Sequence, residues 1–455
     1  MNEGPWRRQF RQRRPEVASF LSFLWPGLGQ WYAGRRTAAV LFAVPIGLVL
    51  VLAILVFLAD PQRLALQMFE PGVALAVTLL ILLAGAWRLV SMFHAGAMAD
   101  GRRAFRGRPV AVLGVLAALA IATHLGLAAV TWGFHVAGQR IFVADDVPGQ
   151  PAPGTTPLPG QSNPPDARPT PDPAARRINI LLTGIDSSES RNHALTDTLI
   201  VVSIDRDTGA VAMVSFPRDI ARFPLVDGRT FNGKINSLMT YAGRHPAEFP
   251  DGPMASVTQE LGFLLGIDVQ YYAAVNLAGF ERMVDEVGGV TIVNSRAIND
   301  PTYGGWRDGH IGFYLPAGQH TLDGATALAY ARSRKGAGDN DFTRARRQQQ
   351  LLVALQAKLT DPAMLPRMPA ILDAAAGTIT TNFPPGQLGE MLQLGRGIED
   401  DQIERVVLGP PYATHPPTNT TGGIYILKLD LARVAEMSVK LFGDESRYAA
   451  AGKSQ

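Results

Sequence analysis

Between Thr326 and Leu352 the chain reads TALAYARSRKGAGDNDFTRARRQQQLL, with five arginines (Arg332, Arg334, Arg344, Arg346, Arg347) and Lys335 set against two acids, Asp339 and Asp341. Planar guanidinium forks meet phosphate oxygens two at a time, so arginines brought to one point make an anion site. The spacing permits that convergence. Arg332 and Arg334 close an apolar helical run, a glycine loop at Gly336 and Gly338 turns the chain, and a second helix starts near Phe342. On it Arg344 and Gln348 stand four apart and share a face, while Leu351, Leu352 and Leu355 give an apolar side. A charge run is ordinarily a solvated surface. Arginines on both sides of one short loop favour a phosphate site instead.

Carboxylates sit at the ends of strand-like segments. Gly184-Ile-Asp186 follows the β-branched run Ile178–Leu182, and Asp197 immediately precedes Thr198–Ile204. If those strands are neighbours, the two aspartates face each other at the strand ends, where α/β sheets bind ligands. Carboxylates without histidine or cysteine suit a hard cation, Mg²⁺ or Mn²⁺, whose shell substrate phosphates complete. Either aspartate alone is equally a turn cap. A third run, Ala210–Phe216, leads into Pro217-Arg218-Asp219, and Arg218 adds another phosphate contact. Lys234, in FNGKIN, either touches phosphate or faces solvent. The histidines show no zinc spacing, and no P-loop, G-x-S-x-G or triad pattern is present.

The elements that must position these groups alternate. Helical patterns at Ala255–Leu265, Leu277–Val287, Gly324–Arg332 and Phe342–Leu359 interleave with strand candidates Tyr271–Val275 and Val290–Val293. That order predicts an α/β domain with a central mixed sheet flanked by helices. Beyond Thr360, helices at Pro385–Gly397 and Asp430–Phe442 and a strand at Ile403–Leu408 complete the same domain.

Ahead of that domain the chain is built for lipid. Three apolar segments, Thr37–Ala59, Gly72–Phe93 and Pro109–Ala137, reach the roughly 20 residues a bilayer requires. Arginines cluster at Arg7–Arg14 and Arg102–Arg108, and only Arg63 lies between the first two spans. The positive-inside rule then predicts a cytoplasmic N-terminus and an external location for everything after Gln139. Val17–Gly34 is apolar but short and broken by Pro26 and glycines, which fits a re-entrant or interfacial segment. From Asp146 to Ala175 ten prolines punctuate a chain almost without large apolar residues, as in an extended tether. The expected organisation is a membrane region at 1–145, a linker at 146–176, an external domain at 177–445 and a flexible tail at 446–455. The formal net charge of +3 gives no one-sided basic composition for nucleic acid, and the absence of cysteine excludes disulfides and thiolate metal sites.

Taken together, NILLTGID, LTDTLIVVSID, VSFPRD, GKIN, MVDEVGGVTIV, AGQHTLDGATALAYARSR and DFTRARRQQQ resemble, in order, the LytR-CpsA-Psr family of membrane-anchored cell-wall transferases. The resemblance implies an external α/β domain that takes a glycopolymer from a polyprenyl-pyrophosphate carrier. It would join that glycan through a phosphodiester to a hydroxyl of peptidoglycan. By motif, Asp186 and Asp197 would hold Mg²⁺, and Arg218, Arg332, Arg334, Arg344 and Gln348 would grip the pyrophosphate. Asp341 would support that shell, the lipid would lie in an apolar tunnel, and Asp219 and Asp341 are the candidates to take the acceptor proton. The family implies neither an oligomeric state nor which glycan is moved, teichoic acid, arabinogalactan or capsule. A pyrophosphatase using water as acceptor would need the same residues. A non-catalytic receptor or regulator would bind the lipid-linked glycan without needing the aspartates.

Overall fold

The computed structural model describes residues 13–59, 67–100, 104–142, 175–186, 195–304, 310–398 and 402–452. The tether expected at 146–176 therefore lies outside the described residues, apart from 175 and 176. Two compact units emerge, Met1–Gly138 and Gln139–Gln455.

In the first unit, helices α1 (Pro15–Leu24) and α2 (Leu28–Tyr32) precede three long helices, α3 (Arg36–Ala59), α4 (Pro71–Asp100) and α5 (Arg108–Ile141). The long three are each apolar enough to cross a membrane. Neither α1 nor α2 reaches a bilayer's thickness, and the break at Trp25–Gly27 separates them. Polar groups hold this broken pair to α4. Gln30 is fully buried, donates to Ser91 O at 2.9 Å, and accepts from Ser22 Oγ at 3.0 Å. Arg88, in α4, lies 5.9 Å from the centre of the Phe23 ring.

The second unit is organised by six strands. They are β1 (Arg177–Asp186), β2 (Leu195–Asp205), β3 (Val211–Ser215), β6 (Tyr271–Asn276), β11 (Ile379–Thr381) and β12 (Ile403–Val407), in the order β11-β6-β1-β2-β3-β12. Between β3 and β6 runs the hairpin β4 (Ala221–Pro224) and β5 (Thr230–Lys234). The central sheet is mixed: β1 pairs antiparallel with β2 and parallel with β6, and β12 pairs parallel with β3. Alternation along the strands splits the core between its faces. Leu199 and Val201 join Ala212 and Val214 on one side; Ile200 and Ile204 join Val211 and Met213 on the other. Asp205, 1% exposed, closes the β2–β3 turn by accepting from the Asp207 and Thr208 N–H groups at 3.0 and 3.1 Å.

Helices α6 (Leu238–Arg244), α7 (Pro253–Leu265), α8 (Leu277–Glu286), α9 (Gly324–Arg332) and α10 (Asp341–Leu359) follow the order expected from sequence. Side chains cap three of them: Asn276 accepts from Gly279 N–H at 2.7 Å, Asp323 from Thr326 N–H at 2.9 Å, and Asn340 from Thr343 N–H at 2.9 Å. The strand expected at Val290–Val293 forms as β7 (Val290–Asn294), yet it stays out of the central sheet. It pairs instead with β10 (Gly318–Leu322), and between them lies a second small ribbon of β8 (Ile298–Asp300) and β9 (Phe313–Leu315). A β-branched segment with one buried face reads the same in either sheet, so sequence pattern could not separate them.

C-terminal to α10, helices α11 (Met368–Ala376), α12 (Leu388–Gly397) and α13 (Leu431–Phe442) pack around strands that belong to the central sheet. The short pair β13 (Ala413–Thr414) and β14 (Lys428–Leu429) lies between the last two. The tail expected to be flexible from Ser446 instead begins with a docked helix, α14 (Arg447–Gly452). Ser446 is buried, its hydroxyl 2.7 Å from Ser438 Oγ, and Arg447 N–H donates to Gly266 O at 2.7 Å. Small and charged residues hid an anchoring that rests on backbone and hydroxyl bonds.

One close approach sets where α9 can lie. A Cβ on Gly324 would stand 2.1 Å from the Glu281 carbonyl oxygen of α8. Gly324→Ala should therefore lower stability by about 1–3 kcal/mol, read as a shift in denaturant midpoint. An unchanged midpoint would show that α8 and α9 separate freely at this point.

A candidate anion site at the strand ends

Asp197 owes its position to an irregularity between β1 and β2. Gly184 pairs with Thr198 but Ile185 pairs with Thr196, so Asp197 is an extra residue on β2, a bulge that re-aims its side chain. Its Oδ1 meets Arg218 Nη1 at 3.2 Å. Asp186 ends β1 opposite Leu195, but its side chain is outside the described residues. The expected meeting of two aspartates across a cleft falls there too.

Arg218 follows β3 and lies among three carboxylates. Besides Asp197, its Nε stands 3.8 Å from Asp219 and 3.9 Å from Asp341. Asp341 opens α10, where an acid favours the helix N-terminus. One carboxylate oxygen, Oδ1, lies 3.0 Å from Arg344, 3.6 Å from Arg334 and 3.9 Å from Arg218. Arg344 is 6% exposed and also donates to Asp197 O at 3.4 Å. Burial pushes its guanidinium below the ordinary arginine value, and the Asp341 carboxylate opposes that shift. The Nε–H groups of Arg218 and Arg344 are buried without a hydrogen-bond partner among the described residues, which leaves donors for an anion.

Arg332 and Arg334 are brought in by a loop that a single carboxylate organises. Asp300, 2% exposed, accepts from Ser333 Oγ at 3.0 Å and from the N–H groups of Arg334 at 3.2 Å and Lys335 at 3.0 Å. Thr302 adds its N–H and hydroxyl to the other oxygen at 3.2 and 3.0 Å. Burial disfavours the charged form, but the Lys335 N–H, the Ser333 hydroxyl and the Thr302 donors outweigh it and hold Asp300 below the usual carboxylate range.

These elements enclose a cavity of about 230 Å³ lined by Asp197, Arg218, Arg332, Arg334, Arg344 and Gln348, with Lys335 and Tyr303 beside them. Burial raises the Tyr303 hydroxyl above its ordinary value while the Arg332 charge draws it back. Gln348 shares the Arg344 face of α10 and donates to Ala331 O at 3.2 Å. Several cations and few carboxylates around a small volume make an acceptor for a polyanion such as pyrophosphate.

Not every residue proposed from sequence converges. Of the five arginines, Arg346 and Arg347 turn away, because on a helix they project off the face of Arg344 and Gln348. Arg347 is buried and structural, donating to Ser333 O and, at 3.1 Å, to Asp339. Arg346 lines a separate groove with Gln350 and Val293. Lys234 does not line the cavity; its side chain is partly exposed and its Nζ is ion-paired with Asp219. That ion pair is a third outcome beside the two the sequence left open. Asp300, Thr302 and Tyr303 were missed. Their only local signal was the turn-like NDPTYG, which resembles any surface loop.

Because the folded pKa of Asp300 is depressed, its contribution is complete above the unfolded carboxylate value, about 3.9, and is lost as pH falls through the lower folded value. Asp300→Asn should lower stability at pH 7 by about 1–3 kcal/mol and flatten the acid limb of the stability curve below about pH 4. Parallel pH profiles of variant and wild type in denaturant titrations would place the stabilising charge elsewhere.

Curated relatives include two proteins named polyisoprenyl-teichoic acid–peptidoglycan teichoic acid transferase TagU. The one from Halalkalibacterium halodurans is 32% identical over 220 residues, covering 48% of this chain and 66% of that protein. The one from Oceanobacillus iheyensis is 29% identical over 215 residues, covering 47% and 62%. The chain thus spans less than two thirds of either relative's length. Regulatory protein MsrR of Staphylococcus aureus is 28% identical over 271 residues, 59% of this chain and 75% of that one. Among solved structures, B. subtilis TagV superposes with a TM-score of 0.46 at 24% identity, over 58% of this chain and 96% of that chain. TagT bound to LIIa-WTA superposes with a TM-score of 0.44 at 24% identity, over 60% and 92%. Residues 161–442, which hold every cavity residue described above, match the LytR_cpsA_psr family, and the chain belongs to it.

Proposed function

We propose that this protein transfers a glycopolymer from a polyprenyl-pyrophosphate carrier to a hydroxyl of peptidoglycan. The observation that carries the proposal is the convergence of Asp197, Arg218, Arg332, Arg334, Arg344 and Gln348 on one cavity. Phosphoryl transfer needs alignment and charge neutralisation more than a protein nucleophile, and this cavity is furnished for both. Two relatives carry the name of such a transferase.

In the proposed step the acceptor oxygen attacks the phosphorus that bears the glycan. The P–O bond to the carrier's other phosphate breaks, and polyprenyl monophosphate leaves with the electron pair. Arg344 and Arg218 gather the negative charge through their unspent Nε–H groups, and Arg332, Arg334 and Gln348 fix the remaining oxygens. The acceptor proton passes to a carboxylate, with Asp219 and Asp341 as the candidates. Asp341, ringed by three arginines, serves first to hold them in place.

Mg²⁺ or Mn²⁺ belongs to the same proposal. The Asp197 carboxylate is partly exposed in the cavity and is a hard oxygen donor, and Asp186 is the second ligand suggested by motif. Among the described residues no three acidic or histidine side chains gather for a metal, so the fit is to an ion whose shell substrate phosphates complete. Such an ion would neutralise charge on the pyrophosphate.

For the lipid, the sheet face below Gln348 offers half-buried apolar side chains: Leu182, Val202, Leu352, Met391 and Leu394. Leu352 lies one helical turn beyond Gln348 on the same face of α10 and would give a lipid chain leaving the arginines its first apolar contact. Three membrane-spanning helices with a cytoplasmic N-terminus would set the second unit outside the cell, where the acceptor is.

The full chain in detergent, given polyprenyl-pyrophosphate oligosaccharide, Mg²⁺ and peptidoglycan, should yield acceptor-linked sugar. Arg218→Ala and Asp197→Ala should each lower the rate by about 10²–10³-fold. Release of free phosphorylated glycan would instead assign a pyrophosphatase, and turnover untouched by both substitutions would remove the site. Chelation with EDTA should abolish transfer, with recovery on adding Mg²⁺; full activity in the chelator would exclude the ion.

A further inference from the structure

A C-terminal segment that carries an aromatic pair is hydrogen-bonded to the backbone of Asp219, next in the chain to the cavity residue Arg218. Leu427 forms a parallel bridge with Ile220. Leu427 N–H donates to Asp219 O at 2.8 Å, and Ala221 N–H donates to Leu427 O at 2.9 Å. Tyr425, two residues before Leu427, is thereby carried by a segment bonded to the backbone of Asp219, the residue that follows Arg218. Tyr425 is 48% exposed, and its ring stacks on His415 with centroids 4.5 Å apart and planes 28° apart. His415 Nδ1 lies 2.8 Å from the Ile426 carbonyl, which can only accept, so Nδ1 carries the proton and the imidazole is anchored from behind. Burial, followed by the Asp219 and Asp341 carboxylates, raises the Tyr425 hydroxyl above its ordinary value, which agrees with a place in the field of the site.

An exposed, rigidly backed aromatic face next to a phosphoryl-transfer centre suits one kind of ligand. The C–H face of a pyranose ring is apolar and carries slight positive charge, which complements the negative face of an aromatic ring. The Tyr425 hydroxyl can meet the sugar's own hydroxyls. The arginines of the cavity account for the phosphates of the donor, and the body of the incoming sugar needs a contact of its own. That sugar must approach in line with the departing oxygen, from outside the cavity.

We propose that Tyr425, backed by His415, is the platform on which the acceptor sugar of the peptidoglycan strand stacks. This rests on the transferase proposal, but binding tests it without turnover. The probes are a peptidoglycan-derived tetrasaccharide and a polyprenyl-pyrophosphate oligosaccharide, each titrated into the full chain in detergent. Tyr425→Ala should weaken tetrasaccharide binding by about three- to tenfold, Tyr425→Phe should weaken it less, and neither should change donor binding. Retained donor binding also shows that the variants are folded. Tetrasaccharide binding equal to wild type in Tyr425→Ala, or absent in the wild type, overturns the platform. Weaker donor binding in its place would give the aromatic pair to the donor glycan and overturn the acceptor assignment. Tyr425-dependent tetrasaccharide binding by a protein that transfers nothing would support the platform while overturning the transferase reading.

Discussion

Four guanidinium groups around one cavity of about 230 Å³ repel one another, and much of the second unit is arranged to hold them there without a ligand. Asp341 does most of this, with one carboxylate oxygen within 4 Å of three arginines. Asp197 takes another part of Arg218, and Asp300 acts on the backbone, fixing the loop from which Arg332 and Arg334 project. These acids only partly offset the bases, and the Nε–H groups of Arg218 and Arg344 have no hydrogen-bond partner among the described residues. The arginines are thus held in place by fixed carboxylates before any ligand arrives, which is the condition for a preorganised site.

The sheet supplies the stiffness this requires. Gln349, fully buried on a different face of α10 from Gln348, donates to Ser215 Oγ at 2.9 Å and Val406 O at 3.1 Å. The helix that presents Arg344 and Gln348 is thereby pinned across β3 and β12. On another side of α10 the Tyr330 hydroxyl, pushed up to about 12 by burial, donates to Gln350 at 2.7 Å. Consecutive glutamines, indistinguishable in composition, thus do three jobs because each step along a helix turns the side chain by about 100°.

Sequence reasoning reached the parts of this arrangement encoded locally. The share of one face by Arg344 and Gln348 follows from helical period, and most strand and helix limits from apolar pattern. Residue types at strand ends, and then motif resemblance, pointed to Arg218 and Asp197, though not to the bulge that turns Asp197 toward Arg218, because a register irregularity belongs to two strands at once. Asp300 stayed hidden for the same reason. Its importance lies in donors more than thirty residues away, and nothing in NDPTYG distinguishes it from a turn. Tyr425 was equally invisible, since only a bridge between distant segments brings its stretch of chain to Asp219.

Both outer strands of the central sheet, β11 and β12, come from the part of the chain after residue 378, whereas the cavity residues all precede residue 349. The chemistry is therefore encoded before the scaffold that closes it. A chain emerging N-terminus first carries its arginines into a sheet whose flanks still expose unpaired backbone, a known route to edge-to-edge association. Only the last hundred or so residues seal those flanks and pin α10 through Val406. The cavity thus takes its final shape only when the C-terminal strands dock, after every residue that lines it has already been made.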